Sequence, residues 1–133
     1  MKTPFSRILY GGDYNPNQWP REIWAQDMEL FKKADINSAT VNVFSWAKLQ
    51  PDENTYDFSE LDDMATATGS MPAWMAKKYP EVTRVDFEGR RHKFGQRHNH
   101  CPNSLVWQKY AAKLAGELAK RYGSNPHVVC WHI

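Results

Sequence analysis

The residues with the most chemical capacity crowd into a few short stretches. In "QRHNHC", residues 96–101, an arginine, two histidines and a thiol stand almost side by side, and "CWH", residues 130–132, adds a second thiol and another imidazole. His98, His100, Cys101, Cys130 and His132 are all zinc-ligand types, so metal binding is the first chemistry to weigh. The spacing argues against it. Structural zinc sets its ligands in pairs at short intervals, and Cys130 falls within an apolar run, where a free cysteine is an ordinary core residue. A different capacity lies in "ILYGGDYNPNQWPREIW", residues 8–24, which mixes two Gly, two Pro, two Asn, a Gln, an Asp, two Tyr and two Trp. No helical or strand period puts these on one face, so much of the run is a loop dense in hydrogen-bonding groups and flat rings. The chain holds six Trp within an aromatic content of 14%. Rigid rings beyond the needs of a core suit a sugar-binding cleft; Trp46 and Trp74 are two such rings, with burial in an aromatic core as the competing fate. Among the acids, Asp13 alone follows directly on an expected strand, and an Asp after Gly-Gly reads as a turn or loop brace. Glu81, Asp86 and Glu88 fall in or near an expected hairpin and read as solvated charges.

Composition bounds what these groups can serve. A chain of 133 residues with 41% hydrophobic and 24% charged residues has the size and balance of one globular domain. A net charge of +2 gives no general attraction for nucleic acid, and only residues 84–100 are locally basic. No leader pattern and no apolar run of about 20 residues is present, so the expectation is a cytoplasmic protein with reduced thiols and no membrane partner.

Elements must hold these groups in place. "RILYGG" predicts a short buried strand over Ile8–Tyr10 that stops at Gly11-Gly12. Pro20 then opens a helix over 21–34, on which Trp24, Met28 and Phe31 share a face. Alternation over 39–43 predicts a second strand after a turn at 35–37, so strand, helix and strand form a parallel βαβ unit. Ser59 is a candidate N-cap with Asp62 and Asp63 in the first turn beyond it, yet "TATGSMPAWM" follows at once, with the Thr, Gly and Pro of a strand end and its loop. A parallel crossover needs about ten residues or more for its helix, so a piece is missing between Asp63 and Thr66. Downstream, a hairpin turns at Glu88-Gly89. A helix from Asn103 or Ser104 to about Tyr122 buries Tyr110, Leu114 and Leu118, with Gly123 ending it in the left-handed conformation, and "HVVCWHI" predicts another buried strand.

Taken in order, "YGGDYNPNQWP", "NVFSWAKLQP", "YDFSELDD", "TGSMPAWMAKKYPEV", "GRRHKFGQRHNHCPNS" and "VVCWHI" resemble the N-terminal part of the catalytic barrel of glycoside hydrolase family 42, the bacterial β-galactosidases. The resemblance implies an α/β fold: roughly the first half of a (β/α)8 barrel, residues 1–133 being an incomplete N-terminal portion that lacks one helix and most of strand 3. It implies that the loop after strand 1 lies at the barrel's C-terminal rim, where such enzymes gather substrate groups. Three departures stand out: Asp35 where relatives usually carry Gly, Gln50 in place of Glu before Pro51, and Glu60 in place of Trp. In relatives the "WHI" runs into an Asn-Glu pair whose Glu is the general acid/base, which is therefore expected just after Ile133, and the nucleophile belongs to a later strand. The 133 residues are accordingly expected to be inactive alone. Arg97 matches the arginine that reaches the galactose site. Cys101 matches a cysteine that binds zinc in some relatives together with three others absent here, so stable zinc is not expected in this chain and no cofactor is required. The implied partner is a β-galactoside or galactose, and the complete enzyme is expected to be a homo-oligomer. A non-catalytic galactoside-binding remnant is the alternative.

Overall fold

The computed structural model describes residues 7–41, 43–59, 70–95, 99–128 and 131. Its first unit is the expected strand, helix and strand. Strand β1 (Gly11–Tyr14) leads through a 3-10 turn at Pro16–Gln18 into helix α1 (Arg21–Lys33), and strand β2 (Ser38–Val41) returns beside β1. The two strands pair in parallel, with Gly11 opposite Ser38 and Tyr14 opposite Val41. The first strand thus begins at the two glycines instead of ending there. Pairing at this register needs glycine, because a Cβ on Gly11 would fall 1.7 Å from the Ser38 carbonyl oxygen. Ile8–Tyr10, expected as a buried strand, is exposed, Ile8 at 87%. It is braced instead by Asn37, whose Oδ1 accepts from the Tyr10 amide at 2.9 Å and whose Nδ2 donates to the Ile8 carbonyl at 3.0 Å.

Helix α1 is tied to β1 by polar and aromatic contacts. The Tyr14 hydroxyl donates to Asp27 Oδ2 at 2.7 Å, the Tyr14 and Phe31 rings meet edge to face at 5.1 Å, and Trp24 Nε1 donates to the Pro16 carbonyl at 2.9 Å. None of its side chains is fully buried. Its C-terminal end explains one departure noted in the sequence. Asp35 has φ 53°, the Ile36 amide donates to the Phe31 carbonyl at 2.9 Å, and the Asp35 amide donates to Lys32 at 3.2 Å. These are the two bonds of a Schellman motif, whose left-handed position favours glycine and is held here by aspartate.

Beyond β2 the expected strand stops short: Val43 and Phe44 form a turn, with Phe44 at φ 67°, and a short helix α2 (Trp46–Leu49) follows. The expected helix start at Ser59 and the break between Asp63 and Thr66 run into residues 60–69, outside the described ones. "SMPAWM" was expected as loop; instead Pro72, extended at ψ 151°, leads directly into helix α3 (Ala73–Lys78), followed by a 3-10 turn at Pro80–Val82. The hairpin forms as read. Val85 and Arg91 bridge antiparallel, and Gly89 takes φ 79° after Phe87 and Glu88, the three-residue loop that wants glycine last.

Helix α4 (Leu105–Tyr122) matches the sequence reading closely. Ser104 caps it, Oγ accepting from the Trp107 amide at 3.3 Å, and Tyr110, Leu114, Leu118 and Tyr122 form its buried stripe. Gly123 is not left-handed. At φ −62° and ψ −24° it continues the right-handed turn, because the chain goes on into further tight turns, Asn125 N to Tyr122 O and Val128 N to Asn125 O, and needs no reversal there. Of the strand expected in "HVVCWHI", His127, Val128 and Trp131 are described and lie outside any strand, and the rest falls outside the described residues. The core gathers Trp46, Leu49, Met71, Met75 and Val82 against the α4 stripe. Connection residues and α4 build it, not the sheet.

Candidate functional site

Two polar constructions stand on this core, one joining the connections after β2 to α3 and α4, the other closing the hairpin. The first begins at Gln50, which is fully buried. Its side chain is satisfied at both ends: Oε1 accepts from Trp46 Nε1 at 2.9 Å, and Nε2 donates to the Glu53 carbonyl at 3.1 Å. Its own carbonyl accepts from Trp74 Nε1 at 2.8 Å. Three residues on, the Glu53 carboxylate receives Lys78 Nζ, the Tyr110 hydroxyl and, at 2.7 Å, the Tyr79 hydroxyl. These donors, Lys78 foremost and then Tyr110 and Tyr79, hold the Glu53 carboxyl down at about 2, far below its usual range. Burial, followed by the bond to Glu53, pushes the Tyr110 phenol up. A carboxylate held ionised in this way carries no proton to give near neutral pH, so Glu53 is an anchor and not a general acid.

Trp46 presents no face to solvent. Its indole is wholly buried and meets Trp107 edge to face at 6.4 Å. Trp74 is half buried, its ring set at 83° against Tyr110 with centroids 5.3 Å apart. Of the two rings singled out from the sequence, Trp74 is therefore the one with surface left to offer. Sequence reasoning did not single out Glu53 or Tyr79, and it took Tyr110 only as a core residue. The Glu53 partners lie 25, 26 and 57 residues away in the chain, so no local spacing signals them.

In the second construction residues 82–85 run between two neighbours. Cys101 N donates to the Val82 carbonyl at 2.7 Å and Arg84 N to Asn99 O at 3.0 Å on one side, while His92 N donates to Arg84 O at 2.9 Å on the other. Arg91 Nη1 donates to the Pro80 and Thr83 carbonyls, tying the hairpin to the turn below it. Asp86 is no solvated charge. Its carboxylate accepts from the amides of Glu88 at 3.0 Å and Arg90 at 2.9 Å and from Arg90 Nε at 3.1 Å, and these bonds, the Arg90 amide first, hold its pKa low. Asp13 lies within β1 opposite Thr40, not in a turn after the strand. Arg97 and His98 lie outside the described residues, as do Cys130 and His132. Cys101 is a half-buried free thiol and the His100 ring stacks flat on Trp107 at 4.1 Å. Among the described residues, no three His, Cys, Asp or Glu side chains group as metal ligands.

A parallel strand, helix and strand followed by connections rich in aromatic, amide and guanidinium groups defines an α/β framework whose chemistry sits in its connections. Residues 13–133 match the β-galactosidase family, glycoside hydrolase family 42, and the chain belongs to it. It is similar to β-galactosidase LacZ of Lactobacillus acidophilus, 56% identical over 144 residues that take in 98% of this chain and 22% of the relative. It is 52% identical over 141 residues to β-galactosidase BgaP of a Planococcus species, covering 96% of this chain and 21% of that one. The crystal structure of a β-galactosidase from Bacillus circulans sp. alkalophilus superposes with a TM-score of 0.91 at 56% identity, over 96% of this chain and 21% of that one. The chain thus spans about a fifth of the length of the relatives it matches. The aligned stretches of 144 and 141 positions are longer than the 133 residues of the chain, so the relatives carry residues with no counterpart here.

Proposed function

We propose that these residues form the N-terminal portion of the catalytic barrel of a β-galactosidase, an enzyme hydrolysing terminal β-D-galactosides with retention of configuration. The match in fold and sequence to β-galactosidases over nearly the whole chain is the observation that supports this. In this reading the parallel pair β1 and β2 opens a (β/α)8 barrel, and the loop after β1 belongs to the substrate rim. The relatives' extra aligned positions correspond to the helix and most of the third strand missing between Asp63 and Thr66. Retaining hydrolysis needs one carboxyl to protonate the leaving oxygen and a second, roughly 5 Å away, to attack the anomeric carbon. Glu53 and Asp86 are both committed to other partners. By the resemblance to the family, the two catalytic carboxylates belong to parts of the enzyme outside these 133 residues.

The contribution of this segment is substrate contact. Arg97 reaches the galactose hydroxyls with a fork of fixed donors, and the half-buried Trp74 offers a ring face. The complete enzyme is a cytoplasmic homo-oligomer of carbohydrate metabolism. Within these 133 residues Cys101 does not make a zinc site by itself, since a structural site takes four ligands; any zinc in the complete enzyme would draw its other thiols from outside them.

The test restores, from the Lactobacillus acidophilus relative, the segments with no counterpart here, and measures turnover of a chromogenic β-galactoside. Arg97→Ala removes charge-assisted hydrogen bonds and is expected to lower kcat/KM roughly 10- to 150-fold, with Arg97→Lys recovering little. Near-normal kcat/KM in a well-folded Arg97→Ala enzyme would take Arg97 out of the sugar site. Stabilisation of the unrestored chain by galactose, with no turnover after restoration, would favour a non-catalytic galactoside-binding remnant instead.

A further inference from the structure

We infer that Phe44 is a substrate contact: its ring is kept at the carboxyl end of the parallel pair to receive the apolar face of the galactosyl ring, and not to fill the core. The inference deepens the β-galactosidase reading and rests on it. Strands β1 and β2 run in parallel and end together, Tyr14 opposite Val41, and Phe44 stands three residues after Val41. In parallel α/β sheets and barrels, the connections that leave the carboxyl ends of the strands are where ligands bind.

The backbone at this place is strained. Phe44 has φ 67°, in the left-handed region, where a bulky side chain meets a steric cost that glycine does not. The other described non-glycine residue at positive φ is Asp35, which ends a helix with both Schellman bonds made. At Phe44 the turn asks only for the conformation, which glycine would supply freely; the ring is an addition that the turn itself does not need. The flanks of the turn are fixed. Val41, Ser45 and Trp46 are buried, and the Ser45 carbonyl accepts from the amides of Lys48 at 2.9 Å and Leu49 at 3.1 Å. Between them Phe44 is 41% exposed, so its ring gains only part of the burial that a core phenylalanine would. A strained backbone, fixed flanks and a partly exposed ring at the ligand end of a parallel sheet are the features of a preorganised contact, since such strain gathers at ligand clamps. Galactose supplies the complement. With its axial hydroxyl on one side, the sugar ring gathers carbon-bound hydrogens into an apolar patch on the other, which stacks on a flat aromatic face.

The experiment has two arms. In the restored galactosidase, Phe44→Leu and Phe44→Gly are expected to lower kcat/KM for a chromogenic β-galactoside about tenfold and to weaken competitive inhibition by galactose by a similar factor, whereas Phe44→Tyr, which keeps the face, stays within about threefold of the parent. The inhibition constant separates contact from fold, because a merely structural loss lowers the active fraction without changing it. Turnover and galactose inhibition within about twofold of the parent in Phe44→Leu would overturn the contact while leaving the β-galactosidase reading in place. A restored parent with no turnover would remove that reading, and the inference with it. The second arm uses the 133-residue chain and does not depend on activity. Phe44→Gly is expected to hold the urea midpoint at or above that of the parent, because relief of the left-handed backbone offsets the partial burial lost. A Phe44→Gly midpoint clearly below the parent's would show that the ring serves packing, and would overturn the inference whatever the restored enzyme did.

Discussion

Replacing Gln50 by Leu tests whether the buried amide is what organises the first polar construction. The side chain is fully buried and satisfied at both ends, by Trp46 Nε1 at 2.9 Å and by the Glu53 carbonyl at 3.1 Å. Leucine fills similar space and supplies neither partner. The Trp46 indole N–H is then stranded beside a ring that is itself 0% exposed, and a buried orphan of this kind costs about 1–3 kcal/mol. The Glu53 carbonyl lies in a partly buried place and can turn to water, while the leucine recovers part of the loss by burial. We therefore expect a net loss of about 1–3 kcal/mol, each kcal/mol lowering the melting midpoint by about 3–5 °C in a chain of this size. Gln50→Glu separates the hydrogen bond from the volume. A carboxylate still accepts from Trp46 but gives nothing to the Glu53 carbonyl unless protonated, and burial raises its pKa. Its penalty is absent below the ordinary carboxyl range and grows as pH rises through the raised value, whereas the leucine penalty does not change with pH. Urea midpoints as a function of pH, with hydrogen exchange of the Trp46 indole N–H by NMR, read both effects. A Gln50→Leu chain as stable as the parent, with its Trp46 N–H still protected, would refute the reasoning.

Asp35→Gly should stabilise the chain by about 0.5–1 kcal/mol, seen as a higher urea midpoint, because glycine takes the left-handed position at φ 53° without steric cost. The Glu53 carboxyl lies at about 2 in the fold against an ordinary 4.5, so its contribution is complete above 4.5 and lost as pH falls through 2. Glu53→Gln should flatten the dependence of the urea midpoint on pH across that window, and an unchanged slope would show that Lys78, Tyr79 and Tyr110 do not hold the carboxylate. The 133-residue chain alone should turn over no β-galactoside above background and should bind a hydrophobic dye through Ile8, Tyr10, Leu30 and Leu105, all more than half exposed. Turnover with retained configuration, or a dye-negative monomer with a sharp melt, would contradict this.

What the sequence disclosed depended on how local the signal was. Helix α4 was readable because eighteen residues carry a full apolar stripe from Tyr110 to Tyr122 behind a serine cap. Helix α3 was not, since six residues make less than two turns and show no period. The hairpin was legible in its glycine. The strand at Gly11 was misplaced because apolar Ile8–Tyr10 looked like a core strand, whereas its position is fixed by a backbone approach to Ser38 that no side-chain pattern records. The helix ends are the sharpest case. Gly123 looked left-handed and is not, while Asp35, noted only as a departure from the family's glycine, occupies the left-handed place with both Schellman bonds made. Residue type alone states which conformations are permitted; the path of the following chain decides which one is used.

The same distinction governs the site. Glu53 gave no sign of itself in the sequence because its three partners lie 25, 26 and 57 residues further along the chain, yet it joins the connection after β2 to α3 and α4. Through Tyr110 and the Gln50 carbonyl, that junction sets the ring of Trp74. At the hairpin, buried Asn99 joins the Gly95 carbonyl to Arg84. Both constructions draw all their named bonds from within the described residues and rest on a core made by the connections and α4, while α1 buries no side chain completely. Trp74 is thus positioned by its own neighbours, and the β1, α1 and β2 unit still has apolar surface to cover, as do Phe87 in the hairpin and Leu105 at the start of α4. A larger fold assembled from such a segment would gain burial beside the sheet, where Ile8 and Tyr10 stand open just before β1, without having to rebuild the contacts that aim Trp74.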